Sequence, residues 1–176
     1  MRFAATPLAG AFLVTAEKHE DERGSFARLF CEEEFRQAGL TFAVRQVNVS
    51  HNKAAGTLRG MHFQRAPKAE AKLVRCQAGR IYDVIIDLRR ESPTYCRWHG
   101  AELSRANGCA LYVPEGFAHG FLTLEPDSEV LYLMGEFYDP ACAAGVRWDD
   151  AAFGVKWPGE PRVIAAKDTL WPAFAP

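Results

Sequence analysis

Residues 80–89 read RIYDVIIDLR, and this run of β-branched and apolar residues is typical of a buried β-strand. Alternate residues of a strand point to opposite faces, so Asp83 and Asp87 share a face with Ile81 and Ile85. Burying a carboxylate without a partner is costly. The two aspartates therefore indicate either hydrogen-bonded partners in the core or a polar pocket on this face.

Strand-like segments of the same kind lie on both sides of this run. They are SFARLF, FAVRQVNV, KLVRCQAG, CALYVP, HGFLTL and EVLYLMGEFY. In the second of them, alternation places Phe42, Val44, Gln46 and Asn48 on one face. CEEEFRQAGL predicts one short helix, acidic at its start and with Gly39 near its end. Many strands and few helices predict an all-β antiparallel sandwich or barrel, in first place a jelly roll.

The composition is that of an ordinary globular domain. The chain has 176 residues, 48% of them hydrophobic, and no linker or repeat divides it, so we expect one domain over residues 1–176. Lys and Arg total 21 and Asp and Glu total 22, a net charge of −1. This balance argues against nucleic-acid binding and a polybasic membrane anchor. No apolar run reaches the roughly 18 residues that span a bilayer.

The chain has five cysteines at irregular spacing: Cys31, Cys76, Cys96, Cys109 and Cys142. An odd number without a Cys-x-x-Cys pair predicts reduced thiols in a cytoplasmic protein. The first residues, MRFAATPLAGAFLVTA, have the outline of a signal peptide, but Pro7 and Gly10 interrupt the apolar stretch. A first strand with a turn at Pro7 is the better interpretation.

The sequence offers few of the usual catalytic motifs. The segment Met61-His62-Phe63-Gln64 lacks the second histidine of a His-x-His metal pair, so we expect no metal. A Gly-x-Ser-x-Gly nucleophile elbow and the glycine-rich loops that bind phosphates or dinucleotides are also absent from the sequence. These observations leave acid/base chemistry without a cofactor.

Several motifs occur in the order found in one known family, from about Thr6 to Trp157. They are DERGSF (21–26), QVNVS (46–50), LRGMHFQ (58–64), KLV (72–74), YDV (82–84) with DLR (87–89), VP (113–114) through FAHGF (117–121), and Tyr132 with Tyr138. By these motifs the chain resembles the dTDP-4-dehydrorhamnose 3,5-epimerases. The resemblance implies a cupin-type jelly roll with a few short helices, a homodimer, no cofactor, and a nucleoside-diphosphate 4-keto-6-deoxyhexose as substrate.

The resemblance also implies a catalytic group of four residues. Hydrogens at sugar C3 and C5 lie next to the C4 ketone, so removing either as a proton gives an enolate and needs a base, a stabiliser and an opposite-face acid. His62 matches the base, and Asp168 matches the carboxylate that orients its ring. Lys72 would stabilise the enolate at the C4 oxygen, and Tyr132 would return a proton.

Eight further positions match residues that bind substrate in the family: Arg23, Phe26, Gln46, Asn48, Arg59, His119, Tyr138 and Lys167. Guanidinium groups form charge-assisted hydrogen bonds to diphosphate oxygens, which suits the two arginines. Tyr138 matches an aromatic residue that stacks on the base, and Phe26 is expected to reach across the dimer. The expected cationic cluster around the diphosphate consists of Arg23, Arg59, Lys72 and Lys167.

One spacing needs an irregular strand. Arg59 and His62 are three residues apart, so regular alternation would place their side chains on opposite faces. Gly60 between them permits a β-bulge that turns both toward one cavity.

Three positions depart from the family pattern. Arg28 and Ala143 stand where the family commonly has glutamates associated with ligand binding, and Leu133 stands in place of a lysine. Arg28 either favours a different base or pairs with Glu32 or Glu33. The catalytic set is intact, so these departures bear on the nucleotide more than on the reaction.

Other functions stay open on the sequence alone. A single-centre epimerase, inverting C3 or C5 of a GDP-, CDP- or dTDP-linked 4-keto sugar, can use the same His, Asp and Tyr. A 3,4-ketoisomerase, a metal-dependent jelly-roll oxygenase and a non-catalytic sugar-binding cupin are further alternatives. Asp83 is either a support for the site or an ordinary hydrogen-bonded core carboxylate.

Overall fold

The computed structural model describes residues 1–175 and is built mainly of β-strands. The strands are β1 (Arg2–Ala5), β2 (Phe12–Thr15), β3 (Lys18–Asp21), β4 (Gly24–Ala27), β5 (Gln46–Asn52), β6 (Thr57–Gln64), β7 (Lys72–Ala78), β8 (Arg80–Asp87), β9 (Trp98–Ser104), β10 (Cys109–Val113), β11 (Phe117–Thr123), β12 (Ser128–Met134), β13 (Ala143–Gly145) and β14 (Val163–Ile164). The helices within those residues are α1 (Glu32–Gln37) and α2 (Ala166–Thr169).

Two sheets enclose the core. The first sheet has the strand order β1-β2-β10-β7-β12-β5, and the second has the order β13-β6-β11-β8-β9. Neighbouring strands in both orders are antiparallel, whereas β14 adds to β6 in parallel. β3 and β4 form a separate hairpin. The architecture is an all-β jelly roll of the cupin type, which confirms the fold class that the sequence predicts.

The strand β8, which carries RIYDVIID, lies inside the second sheet between β11 and β9. Ile81 and Ile85 are fully buried and belong to the same core cluster as Val74 and Leu111 of the first sheet. Full burial of such a side chain stabilises a fold by about 1.5–3 kcal/mol. The alternation read from the sequence therefore fixes which face of β8 meets the opposite sheet.

Asp87 ends β8 in a network of hydrogen bonds. The Nε of Arg89 donates to Oδ1 at 2.9 Å, and the hydroxyl of Thr94 donates to Oδ2 at 2.7 Å. Burial acts to raise the pKa of Asp87, but hydrogen bonds from Arg89, Ser92 and Thr94 outweigh it and lower the pKa to about 2. Asp87 is thus a satisfied core carboxylate, one of the two outcomes that the sequence left open.

The helix α1 packs through an aromatic cluster on the first sheet. Three glutamates occupy its first turn, where the helix dipole favours negative charge, and Gly39 follows its end with a φ of +78°. Phe35 of α1 is fully buried and contacts Phe42 and Tyr112. The helix lies within the segment that the sequence predicts.

Two strands are shorter than the sequence pattern suggests. β4 ends before Phe30, and β5 begins only at Gln46. Phe30 and Phe42 pack on Phe35 in the aromatic cluster instead of continuing the strands. The expectation of one alternating strand over residues 42–49 is therefore wrong, and Phe42 does not share a face with Gln46, which borders a cavity.

The first residues form part of the first sheet. β1 and β2 make a hairpin with a turn over residues 7–10, and β2 continues the sheet by pairing with β10. This confirms the first strand and turn that the sequence predicts. The five cysteines are free thiols. Among residues 1–175, neither helix has the length and apolar character needed to cross a membrane.

Candidate active site

Two adjoining cavities lie against strands of both sheets. The first cavity, about 530 Å³, is bordered by eight of the predicted site residues: Asn48, Arg59, His62, Lys72, His119, Tyr132, Lys167 and Asp168. The second cavity, about 660 Å³, is bordered by Gln46 and Tyr138 and shares part of its wall with the first. The shared wall consists of Asn48, His62, Met134 and Lys167.

A β-bulge at Gly60 brings Arg59 and His62 to the same cavity. His62 lies opposite His119 on β11, whereas Arg59 lies opposite Phe121, so β6 has one residue more than its partner at this point. Gly60 has a φ of +128°, and a Cβ placed on it would lie 2.5 Å from the Cα of Gly120. The bulge that the sequence predicts is confirmed.

His62 and Asp168 form a hydrogen-bonded pair across 106 residues of sequence. The Nε2 of His62 lies 2.7 Å from Oδ1 of Asp168, and the backbone N–H of Gly60 donates to Oδ2 at 3.4 Å. Burial lowers the pKa of His62, and the charges of Lys72 and Lys167 add to this, although Asp168 opposes them. The ring is thus neutral at pH 7. When Nε2–H donates to Asp168, Nδ1 is the nitrogen that can accept a proton.

Lys72, the first residue of β7, brings a buried positive charge to the first cavity. Its Nζ lies 2.9 Å from Oε1 of Glu70 and donates to the backbone carbonyl of His62 at 3.3 Å. The ammonium group is therefore hydrogen-bonded to the backbone of β6, the strand that carries His62. A buried cation on the wall of a cavity can stabilise negative charge that develops on a ligand.

Tyr132 comes from β12 of the first sheet, whereas His62 comes from β6 of the second. Burial raises the pKa of Tyr132, and the negative charge of Asp83 adds to this, while Arg59 opposes it. The phenol therefore keeps its proton throughout the physiological pH range. The pair places a neutral imidazole and a protonated phenol on the walls of one cavity, supplied by opposite sheets.

His119 forms a second buried histidine–aspartate pair, with Asp83. Their Nε2 and Oδ1 atoms are 2.8 Å apart, and both side chains are buried. The other oxygen of Asp83 has no hydrogen-bond partner within residues 1–175. The ring of His119 meets that of Tyr132 edge to face, with centroids 6.1 Å apart. Asp83 thus has a hydrogen-bonded partner on the cavity wall, and its support of a functional site stays a prediction.

Several side chains hold the wall around the two cavities. Gln46 accepts a hydrogen bond from the backbone N–H of Tyr138 at 2.7 Å, which fixes the loop that follows β12. The Nε of Arg59 donates to Oδ1 of Asn52 at 2.7 Å. Tyr138 itself is largely exposed, so one face of its ring is available for stacking.

Two predicted site residues lie outside both cavities of the single chain. Arg23 and Phe26 belong to the β3–β4 hairpin and are exposed, and Arg23 pairs with Asp21. Within one chain, Arg23 therefore does not lie with Arg59, Lys72 and Lys167, and the cationic cluster of these four residues stays a prediction. Almost all residues of this hairpin are exposed, so its side chains project into solvent.

The structure shows the contacts of Arg28 and the position of Ala143, two residues that depart from the family pattern. Arg28 pairs with Glu34 at 3.0 Å, so the expected partners Glu32 and Glu33 are wrong. Glu34, the next residue of α1, takes their place, and it also binds the N-terminal amine. Ala143 lies on β13 and borders the second cavity.

Sequence reasoning missed Glu70 and Trp171, which both border the second cavity. Glu70 lies two residues before Lys72, and the same-face spacing of opposite charges was a usable signal. Trp171 lies in the chain's last residues, where the resemblance is weak. Its indole Nε1 has no hydrogen-bond partner within the described part of the chain. Over residues 1–175, no cluster of three His, Cys, Asp or Glu side chains has the geometry to hold a metal ion.

Comparisons with known proteins agree on one family. The family model for dTDP-4-dehydrorhamnose 3,5-epimerase matches residues 5–176. The enzyme of that name from Sinorhizobium fredii is 41% identical, over 99% of this chain and 90% of its own length. A crystal structure of the Bacillus anthracis enzyme with TDP and pyrophosphate bound superposes with a TM-score of 0.95, at 39% identity, covering 98% of this chain and 99% of that one.

The fold is also shared with an enzyme that inverts one centre. A 3'-monoepimerase from Streptomyces bikiniensis, solved with dTDP-quinovose, has a TM-score of 0.88 at 34% identity. The similarity covers 96% of this chain and 85% of that one.

Because the bulge brings Gly60 close to Gly120, we expect a methyl group at residue 60 to lower the stability of the fold strongly. Gly60→Ala should lower the free energy of unfolding by about 2–4 kcal/mol, because the added carbon meets Gly120 and the backbone must keep a positive φ. Gly159→Ala is the matched control, since nothing lies within 4 Å of its added carbon. Chemical denaturation of both variants checks this, and equal stabilities would contradict the close contact.

Proposed function

The chain belongs to the dTDP-4-dehydrorhamnose 3,5-epimerase family and is a nucleotide-sugar epimerase, and we propose that His62, Lys72 and Tyr132 perform its chemistry. The reaction inverts C3 and C5 of a dTDP-linked 4-keto-6-deoxyhexose. The observation that carries the assignment is the His62–Asp168 hydrogen bond of 2.7 Å, on the wall of a cavity that Tyr132 also borders.

The first step in this proposal is removal of a proton next to the ketone. Nδ1 of His62 takes the proton from C5 or C3, the electrons of that C–H bond form a carbon–carbon double bond to C4, and the carbonyl electrons move to the C4 oxygen. Asp168 stabilises the imidazolium that forms and holds the ring in place. Lys72 donates to the developing enolate oxygen, where a positive charge in a buried site is most effective.

The second step is return of a proton to the other face of the same carbon. Tyr132 supplies it, because its phenol is protonated and stands on the opposite sheet from His62. Electrons return from the oxygen to restore the ketone, and the carbon leaves with inverted configuration. No net oxidation takes place and each proton removed is replaced, so the proposed chemistry balances without a cofactor or metal.

The remaining site residues are proposed to bind the substrate. Arg59 and Lys167 border the first cavity, where their charges suit a diphosphate. Gln46 and Asn48 offer amides, and Tyr138 offers a ring face for the base. His119, held by Asp83, lies on the first cavity's wall with a ring nitrogen for the sugar or diphosphate.

We further propose that the enzyme acts as a homodimer in the cytoplasm. β5 is an edge strand of the first sheet, and its Val47 and Val49 are 60% and 59% exposed. Apolar residues on a free edge favour pairing with another chain. The exposed hairpin with Arg23 and Phe26 then reaches the partner's cavity, which gives both residues a role. Free thiols are typical of the reducing cytoplasm.

Isotope exchange in deuterated water separates the two proton-transfer steps. The wild type should incorporate deuterium at C3 and C5 with inversion. Tyr132→Phe should still exchange these protons, but with retained configuration, because His62 can only return a deuteron to the face it attacked. His62→Ala should stop exchange while circular dichroism stays unchanged. NMR of the sugar gives the count and the stereochemistry; full exchange in His62→Ala would refute the assignment, and a single deuteron would indicate a single-centre epimerase.

The pH dependence of kcat/KM tests the His62–Asp168 pair. The pKa of His62 lies below its usual 6.5, so wild-type activity should fall only as the pH drops below about 6.5. Asp168 raises that pKa, so Asp168→Asn should move the acid limb to lower pH, and should reduce kcat by about 100-fold or more through loss of ring orientation. Asp127→Asn, which removes the carboxylate of an exposed histidine pair with His51, is the matched control. An acid limb that stays in place or moves to higher pH would count against the pairing.

Mixing inactive variants tests the contribution of the hairpin across the dimer. If Arg23 serves the partner's cavity, Arg23→Ala and His62→Ala mixed in equal amounts should recover about a quarter of wild-type activity, because half of the dimers are mixed and one of their two sites is intact. Arg59→Ala mixed with His62→Ala should recover none, since both residues border the same chain's cavity. Activity after subunit exchange checks both mixtures, and lack of rescue in the first would place Arg23 outside the site.

A further inference from the structure

We propose that Glu70 is a positioning residue for the epimerisation, which holds the ammonium group of Lys72 toward the sugar carbonyl. The proposal rests on the role proposed above for Lys72. Glu70 precedes β7 by two residues, and its Oε1 lies 2.9 Å from Nζ of Lys72. Both residues are almost fully buried, with 7% and 5% of their surfaces exposed. The pair is therefore a buried ion pair next to the reaction centre.

The two partners border different cavities. Lys72 lies on the wall of the first cavity together with His62 and Tyr132, whereas Glu70 lies on the wall of the second. Glu70 does not border the first cavity, so it meets the ammonium group without facing Tyr132 there. Its influence on the reacting carbons passes through Lys72.

The contacts of Lys72 leave N–H donors for the substrate. An ammonium group has three N–H donors. One is donated to the backbone carbonyl of His62 at 3.3 Å, and the carboxylate of Glu70 holds the charge as an ion pair, with Oε1 2.9 Å from Nζ. Because both contacts hold Nζ in the wall, the remaining donors can face the first cavity, which Lys72 borders. A flexible four-carbon side chain is converted in this way into a directed hydrogen-bond donor.

Gln64 holds the carboxylate of Glu70 in turn. Its Nε2 lies 3.0 Å from Oε2 of Glu70 and 3.0 and 3.2 Å from the backbone carbonyls of Lys68 and Phe137, so these three acceptors share its two N–H donors. Its Oε1 accepts from the backbone N–H of Asp139 at 2.6 Å. Both carboxylate oxygens of Glu70 are thus engaged, one by Lys72 and one by Gln64, and the chain of contacts reaches the loop that carries Tyr138.

The arrangement also explains how a buried cation is tolerated in this wall. An unpaired charge with so little exposure is strongly unfavourable, and a buried pair needs its remaining oxygen satisfied. Glu70 meets the first condition and Gln64 meets the second. Removing the carboxylate leaves Lys72 without its partner and free to turn from the cavity, while the binding surfaces for the base and the diphosphate keep their residues.

The test compares Glu70→Gln with Glu102→Gln, which removes one charge from an exposed ion pair on β9. We expect Glu70→Gln to reduce kcat by about 10- to 100-fold, the range for residues that orient a catalytic group. KM and the dissociation constant for dTDP should stay within about twofold of wild type, because Glu70 acts through Lys72 and not on the nucleotide. Glu102→Gln should leave all three constants unchanged.

A double-variant experiment separates the outcomes. In a Lys72→Met background, Glu70→Gln should cause no further loss of the slow exchange followed by NMR in deuterated water. A further loss of the same size as in the wild type, or a raised KM with unchanged kcat, would overturn the proposal and give Glu70 an independent role. Full activity of Lys72→Met would instead refute the proposed function of Lys72. If Glu70→Gln fails to fold, Glu70→Asp keeps the charge, and its kcat should also be reduced with KM unchanged; a wild-type kcat would overturn the proposal.

Discussion

The close approach of Gly60 on β6 to Gly120 on β11 is the constraint on which the site depends. A methyl group on either glycine would meet the opposite backbone or the side chain of Met61. The bulge that this contact permits turns Arg59 and His62 to one cavity, although alternation alone would separate them. The same glycine donates its backbone N–H to Asp168. One position therefore sets the direction of the histidine and also binds the carboxylate that its ring contacts.

The wall around this bulge holds its ionisable side chains in hydrogen-bonded pairs. His62 contacts Asp168, His119 contacts Asp83, and each contact is shorter than 3 Å. Pairing allows ionisable groups to be buried without the full cost of an isolated charge. Because burial strengthens electrostatic interactions, the same desolvation that lowers the pKa of His62 would make the enolate of the proposed reaction easier to stabilise. Stability and proposed chemistry thus draw on the same low-dielectric wall.

The sequence predicts the parts of this structure that follow local rules. β8 forms where the apolar segment RIYDVIID predicts a buried strand. The bulge in β6 forms where the spacing of Arg59 and His62 around Gly60 predicts it. Local rules fail where distant packing decides. Phe42 leaves the expected strand for an aromatic cluster with Phe35, and the exposed hairpin carries Arg23 away from the cavities. Neither effect leaves a periodic signal in the sequence.

His62 and Tyr132 come from different sheets, and this bears on how one pair of proposed catalytic residues can act on both C3 and C5 of the sugar. The proposed base comes from the second sheet and the proposed acid from the first, so the packing of the sheets fixes their positions relative to each other. C3 and C5 lie on opposite sides of C4, and in the proposed mechanism both meet the same histidine in turn. The sugar ring therefore has to shift between the two inversions, while the nucleotide stays bound. On this proposal, the room for that shift along the cavity wall would decide whether one centre or two is inverted, without a change in the proposed catalytic residues.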